Sequence, residues 1–238
     1  GDFLMKTLVL LGKKYKDQII CVESNILGET NACLSILKKD GGMYNFNEVN
    51  FDKKWKIEYM SRGTKQAYII NNKGPSRRTS YVHNQEESRH EQGFFSHIND
   101  IADWVHVCYL DDYESYWELE KINTPFSIDF CTTNSRLPFL EVMKRAEVIF
   151  DSRERKNLYN NIKIDTKLIL HDECGVEIIQ NGKVVSTMKN NPISGLSVNG
   201  AGDLFAGNFI KHYGSSDATI ASFNSMKETT NLLIKRKK

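Results

Sequence analysis

An α/β layered fold with a mainly parallel sheet is what this sequence predicts, and three observations carry the expectation. Short continuous apolar runs, the signature of strands buried on both faces, alternate along the chain with amphipathic stretches of helical period. A β-rich excursion between about 55 and 83 interrupts that alternation once. A glycine turn, Asn199-Gly200-Ala201-Gly202-Asp203, stands immediately ahead of a stretch in which Phe205, Phe209 and Tyr213 recur every four residues. At 238 residues the chain suits one large domain spanning 1–238, and nothing in its length requires a second.

Taken in order, residues 6–11 (KTLVLL) form an apolar run closed by Gly12, which predicts the first strand. Residues 18–22 (QIICV) are apolar and β-branched, a second extended piece ahead of a turn at Gly28. Residues 31–39 carry Ala32, Leu34, Ile36 and Leu37 and stop at Asp40-Gly41-Gly42, the pattern of a helix with a glycine end. Strand-like runs follow at 57–59, 66–70 and 78–82, separated by Arg62-Gly63 and by 71–75. Strands are then expected at 104–110, 126–130, 147–150, 168–170 and 176–179, with helices at 113–121, 137–146 and 204–213. Asn181-Gly182 predicts a hairpin turn, and a last helix is expected near 218–234.

Charge narrows the partners. Lys and Arg number 32 against 30 Asp and Glu, a net charge of +2, so there is no broad basic field for nucleic acid and the expected partner is a small molecule. The terminal run Lys235-Arg236-Lys237-Lys238 reads as a solvated chain end. No segment is long and apolar enough to cross a membrane, and no membrane association is expected. The five cysteines, at 21, 33, 108, 131 and 174, are odd in number and widely spaced, which predicts reduced thiols and a cytoplasmic location. His83, His90 and His97 recur every seven residues, but His83 falls in a strand-like run, so they do not share a helix face that could hold a metal.

The glycine turn carries the chemistry. Gly200 and Gly202 precede a helix, where missing side chains let backbone N–H groups converge on an anion that the helix N-terminus already favours. Asp203 lies at the same helix start, placed to take the proton of a hydroxyl that attacks a phosphate bound there. The same residues also suit a helix capped by Asp203 after a flexible turn. The chain has no Gly-x-x-x-x-Gly-Lys-Ser/Thr loop, and the turn comes too late for a dinucleotide-binding βαβ unit, so neither familiar nucleotide motif applies.

The segment 197–203, followed by Gly207, resembles the C-terminal signature of the PfkB/ribokinase family of carbohydrate and nucleoside kinases, Asp-Thr-x-Gly-Ala-Gly-Asp. Gly12 with Asp17 five residues later resembles the family's first strand, and Leu27-Gly28-Glu29-Thr30-Asn31 resembles its Gly-Gly-x-x-Asn segment with the first Gly replaced. The resemblance implies a three-layer α/β fold with a small β-sheet lid, whose strands fall within about 18–27 and 55–83. It implies ATP-dependent phosphotransfer with Mg²⁺ to a hydroxyl of a sugar or sugar-like molecule. Asp203 would be the general base and the backbone of Gly200, Ala201 and Gly202 the anion hole. Asp17, Gly28 and Asn31 would hold substrate hydroxyls, while Asn199 and Gly175 would lie on the nucleotide side. Ser152 and Arg155 stand where the family has Asn and Glu, which leaves the metal ligands unassigned. A nucleoside kinase, or a family member that binds sugar or nucleotide with impaired catalysis, are the alternatives, and a homodimer through the lid is a further expectation.

Overall fold

The structure, a computed structural model, describes residues 5–22, 35–72, 78–85, 90–109, 116–130, 140–193 and 196–236. Its first strand, β1 (Lys6–Val22), makes two kinds of sheet in succession. From Leu8 to Leu11 every side chain is fully buried, because both faces of the sheet are covered. The register shifts after Gly12, where an added Cβ would lie 3.0 Å from the Cβ and carbonyl oxygen of Cys108. Beyond the shift burial alternates, with Lys16 exposed between a half-buried Tyr15 and a buried Asp17. The two extended pieces expected at 6–11 and 18–22 are therefore one strand.

Alongside it, β2 (Ser35–Gly42) pairs antiparallel with β1, placing Lys39 opposite Asp17 and Ile36 opposite Ile20. The helix expected at 31–39 is corrected here, since its described part, 35–39, lies in β2. Leu37 and Lys38 tolerate a helix, but the open edge of β1 offers a ladder of backbone partners that overrides so weak a local preference. β3 (Trp55–Asn72) runs parallel to β1 along almost its whole length, and β4 (Arg78–Gln85) pairs antiparallel with β3. The lid is thus the far half of β1 and β3 flanked by β2 and β4, continuous with the main sheet.

The chain then alternates through α1 (Phe94–Ile101), β5 (Trp104–Cys108), β6 (Phe126–Asp129), α2 (Leu140–Arg145), β7 (Val148–Ser152) and β8 (Lys167–Asp172). A hairpin, β9 (Gly175–Gln180) and β10 (Lys183–Lys189), precedes α3 (Ala201–Tyr213) and α4 (Ala218–Lys235). Among the described residues the sheet runs β10-β9-β8-β7-β6-β5-β1-β3-β4, with β2 also on β1. From β8 through β5 and β1 to β3 the pairing is parallel, while β9, β10, β2 and β4 join antiparallel. α1 was not among the expected elements, although Phe94, Phe95, Ile98 and Ile101 keep helical spacing.

Alternate side chains of the same strands feed two cores. Val9, Leu11, Val105 and Ile128 pack with Phe95 and Ile98 of α1 and Val142 and Met143 of α2. Leu8, Leu10, Phe150 and Ile169 pack on the other face with Met43 and Phe46 of a 3-10 helix (Met43–Glu48), with Phe205 and Phe209 of α3, and with Leu233 of α4. The result is the expected three layers, helix on sheet on helix.

Candidate active site

The parallel strands β5, β6, β7 and β8 end beside Tyr109, Asp129, Asp151 and His171, and the N-terminus of α3 meets those ends. A Cβ on Gly202 would stand 3.6 Å from His171 Cε1 and 4.0 Å from Asp129 Oδ2. This is the end of an α/β sheet where ligands bind, because strands stop and helices begin there. Gly200 is the residue before α3, with φ of 71°, and a Cβ on it would lie 2.6 Å from Cγ and Nδ2 of Asn45. Glycine is needed twice over, for the left-handed backbone and for the close approach. Leu204 N–H donates to Gly200 O at 3.0 Å as the first helical bond, and Ala201 N–H donates to Val198 O at 3.0 Å. The N–H groups of Gly200 and Gly202 lie at this turn, ahead of the first bond of the α3 ladder.

Asp203 sits in the first turn of α3, only 1% exposed. Asn45 Nδ2 donates to its Oδ2 at 2.7 Å, and the Tyr109 hydroxyl reaches Oδ1 at 2.7 Å and Oδ2 at 2.8 Å. Tyr109 has φ of 67°, which is costly for a bulky residue and is held here by the carboxylate contact and by Tyr15, packed edge-on at 5.6 Å. Neither Asn45 nor Tyr109 was picked out from the sequence. The signal for Asn45 was present, because Gly41-Gly42-Met43-Tyr44-Asn45 carries the Gly-Gly-x-x-Asn pattern without replacement and enters the 3-10 helix. Gly28 and Asn31, to which the pattern was fitted, lie outside the described residues.

Asp17 is buried on the lid side, its carboxylate against Gly41, where a Cβ would come within 1.9 Å of Oδ2. It shares a strand face with Tyr15, so Tyr15 and Tyr109 link its neighbourhood to Asp203. On the opposite side of the turn, Val198 and Ala201 also line a cavity of about 460 Å³ walled by Leu196, Phe205, Met226 and His171. His171 stacks on Phe205 at 4.4 Å, and desolvation pushes its imidazole down to about 4 despite the nearby Asp172, so it is neutral at pH 7. A larger cleft of about 720 Å³ lies around Lys6, Trp55 and Lys211, at the end of the sheet away from Asp203, where Glu228 already pairs with Lys211 and His212.

No family model and no curated protein matches the sequence. Solved structures do match its shape. A nucleoside kinase from Methanocaldococcus jannaschii, an archaeal member of the ribokinase family, aligns with a TM-score of 0.60 at 15% identity, covering 98% of this chain and 99% of that one. Ribokinase from Thermotoga maritima aligns at 0.63 and 12% identity, over 98% and 92%. A microbiome-derived acarbose kinase aligns at 0.64 and 14% identity, over 94% and 91%. The fold is ribokinase-like.

Within this ribokinase-like frame, the segment that departs from the family pattern is occupied by its own ion pairs. Arg155 Nε donates to Asp151 Oδ2 at 3.0 Å, Tyr159 OH donates to the same oxygen at 2.5 Å, and Ser152 N–H donates to Oδ1 at 2.7 Å. Burial outweighs those partners and leaves the Asp151 carboxyl above its ordinary range. Arg153 bridges Asp172 at 3.0 Å and Glu177 at 3.2 Å, tying β7 to the β8–β9 hairpin. In that hairpin Asp172 Oδ1 accepts from the N–H groups of Cys174 and Gly175, at 2.8 and 3.0 Å. Gly175 has φ of 145°, and Met188 O would lie 2.0 Å from any Cβ, so this glycine lets β10 close on β9.

Asn199 is 6% exposed, and among the described residues neither atom of its side-chain amide has a hydrogen-bond partner. Its backbone oxygen accepts from Arg236 Nη1 at 2.6 Å. Arg236 also binds Glu48 through Nε at 2.8 Å and Nη2 at 2.7 Å, while Lys39 reaches the same carboxylate at 2.5 Å. Burial alone would raise Glu48, but Arg236 and Lys39 outweigh it and hold the carboxyl below its usual value. The reading of 235–238 as a solvated end is thereby corrected for Arg236. Its partner lies 188 positions away in sequence, where a local pattern gives no warning. Among the described residues no helix is long and apolar enough to cross a membrane, and no group of His, Cys, Asp and Glu is arranged around a cation position.

Proposed function

We propose that the protein transfers the γ-phosphoryl group of ATP to a hydroxyl of a sugar or sugar-like small molecule, with Asp203 as general base. The observation that carries this is a buried carboxylate beside a glycine turn, its lone pairs oriented by Asn45 and Tyr109. The acceptor hydroxyl gives its proton to Asp203 while its oxygen forms the new bond to phosphorus and the β–γ bridging bond breaks, releasing ADP. The Gly200 and Gly202 N–H groups meet the charge on the transferring group, with the macrodipole of α3 behind them. The cavity beside Val198 and Ala201 takes the adenosine portion, with Phe205 and His171 forming an aromatic wall.

Mg²⁺ favours one or two carboxylates together with phosphate oxygens and water. Asp129 fits that demand, since its Oδ2 is 4.0 Å from the Cβ position of Gly202, at the turn ahead of α3. When bound, the ion would neutralise phosphate charge. On the acceptor side, Asn45 and Asp17 have the donors and acceptors that hydroxyl recognition requires. The described neighbours, a ribokinase, a nucleoside kinase and an acarbose kinase, support this reading. A nucleoside acceptor is the second reading, favoured by the Tyr15–Tyr109 pair beside the carboxylate, which offers an aromatic surface to a base.

The test is Asp203→Asn assayed by coupled ADP release over a panel of sugars and nucleosides. Loss of a positioned base lowers kcat about 10²–10⁴-fold. Stabilisation of the folded protein by ADP should persist in the variant. Undiminished turnover would remove Asp203 from the role of base. Ligand stabilisation of the wild type without any turnover would favour a binding protein.

A further inference from the structure

Arg236 joins the chain end to both halves of the site just described. Its guanidinium grips both oxygens of Glu48 and donates to the backbone oxygen of Asn199. Glu48 closes the 3-10 helix that carries Asn45, the residue holding Asp203. Asn199 O belongs to the peptide whose N–H is that of Gly200, at the anion turn. In a trans peptide the C=O and N–H point in opposite directions, so a cation on the oxygen lies directly behind the N–H. A charged donor there polarises the peptide and strengthens the N–H as a donor on its far side. Only 18% of the Arg236 side chain is exposed, which limits screening of that charge by water.

We propose that Arg236 is a positioning residue for phosphate binding: it supplies a fixed positive charge behind the Gly200 turn and locks that turn to the helix bearing Asn45. The inference rests on the kinase reading, because it presumes that the turn receives the phosphates of a nucleotide. A planar fork is required, since lysine offers a point charge that cannot hold Glu48 through two parallel bonds and reach Asn199 O together.

The test reads ADP binding by calorimetry at 15 °C in the full chain, for wild type and for Arg236→Gln, Arg236→Met and Arg236→Lys. Two neutral variants are made so that one folded protein suffices, with folding checked by a cooperative urea transition. Either neutral variant should lose about tenfold in ADP affinity, below the effect of deleting a direct oxyanion donor. The lysine variant should fall between them and wild type. Added guanidinium at millimolar concentration should restore affinity to the neutral variants and leave wild type unchanged, a rescue that a merely structural role does not produce. Folded neutral variants within twofold of wild type overturn the inference alone, as does a failure of rescue. A wild type that binds no ADP overturns both this inference and the kinase reading.

Discussion

Replacing Gly200 by alanine perturbs the turn before α3 in a way that can be measured without knowing the substrate. Two costs arise. Alanine at φ of 71° carries left-handed strain of about 1–2 kcal/mol. Its Cβ would also stand 2.6 Å from the Asn45 amide, so Asn45 must withdraw and give up its 2.7 Å bond to Asp203. A hydrogen bond to a charged group contributes about 1.5–3 kcal/mol, so Gly200→Ala should destabilise by about 2.5–5 kcal/mol. Asn45→Ala removes the same bond directly, at about 1.5–3 kcal/mol. In the double variant that bond can be lost only once, and the alanine methyl has room. The pair should therefore cost about 2.5–5 kcal/mol, where independent effects would total about 4–8 kcal/mol. Urea unfolding of the three variants at pH 7 measures the coupling. Additivity within about 0.5 kcal/mol would refute the contact between the turn and Asn45.

Acid sensitivity follows from a histidine the chemistry does not use. His106 is fully buried between Phe46 and Phe150, and desolvation pushes it from 6.5 down to about 3. Below its ordinary value the unfolded chain takes up a proton that the folded chain refuses, so stability falls by up to about 1.4 kcal/mol per pH unit on acidification. The stability difference between wild type and His106→Asn should shrink from pH 7 to pH 4; a pH-independent difference would count against it. Arg155→Met should destabilise by about 3–5 kcal/mol, because it strands Asp151, whose side chain is 1% exposed, without its cation. Adding Asp151→Asn to that variant should recover much of the loss in urea unfolding, and no recovery would mean that the pair is not the source.

Much of the site's centre was legible because it depends on local chemistry. Gly200, Gly202 and Asp203 announce a helix start, and α3 and α4 form at Ala201–Tyr213 and Ala218–Lys235, against expected helices at 204–213 and 218–234. The buried strands β5 to β8 were equally readable, since continuous apolar runs report burial on both faces whatever the partner. The partners of Asp203 were not. Asn45 and Tyr109 lie 158 and 94 positions away, and no periodicity encodes which distant side chain meets a carboxylate.

The lid shows the same division. Residues 35–39 were read as helix on local preference and became β2 because the edge of β1 supplied a ladder, an effect that exists only once β1 is in place. Arg236 looked like a solvated charge for the same reason, since its worth depends on Glu48 and Asn199 arriving beside it. By itself the sequence determined which segments are buried, where the helix-starting turn lies and which carboxylate belongs to it, because these follow from hydrophobic period and backbone freedom. Tertiary structure decided which strands pair, which residues orient that carboxylate and which cation binds the Asn199 carbonyl, because those energies come from contacts between segments far apart in the chain.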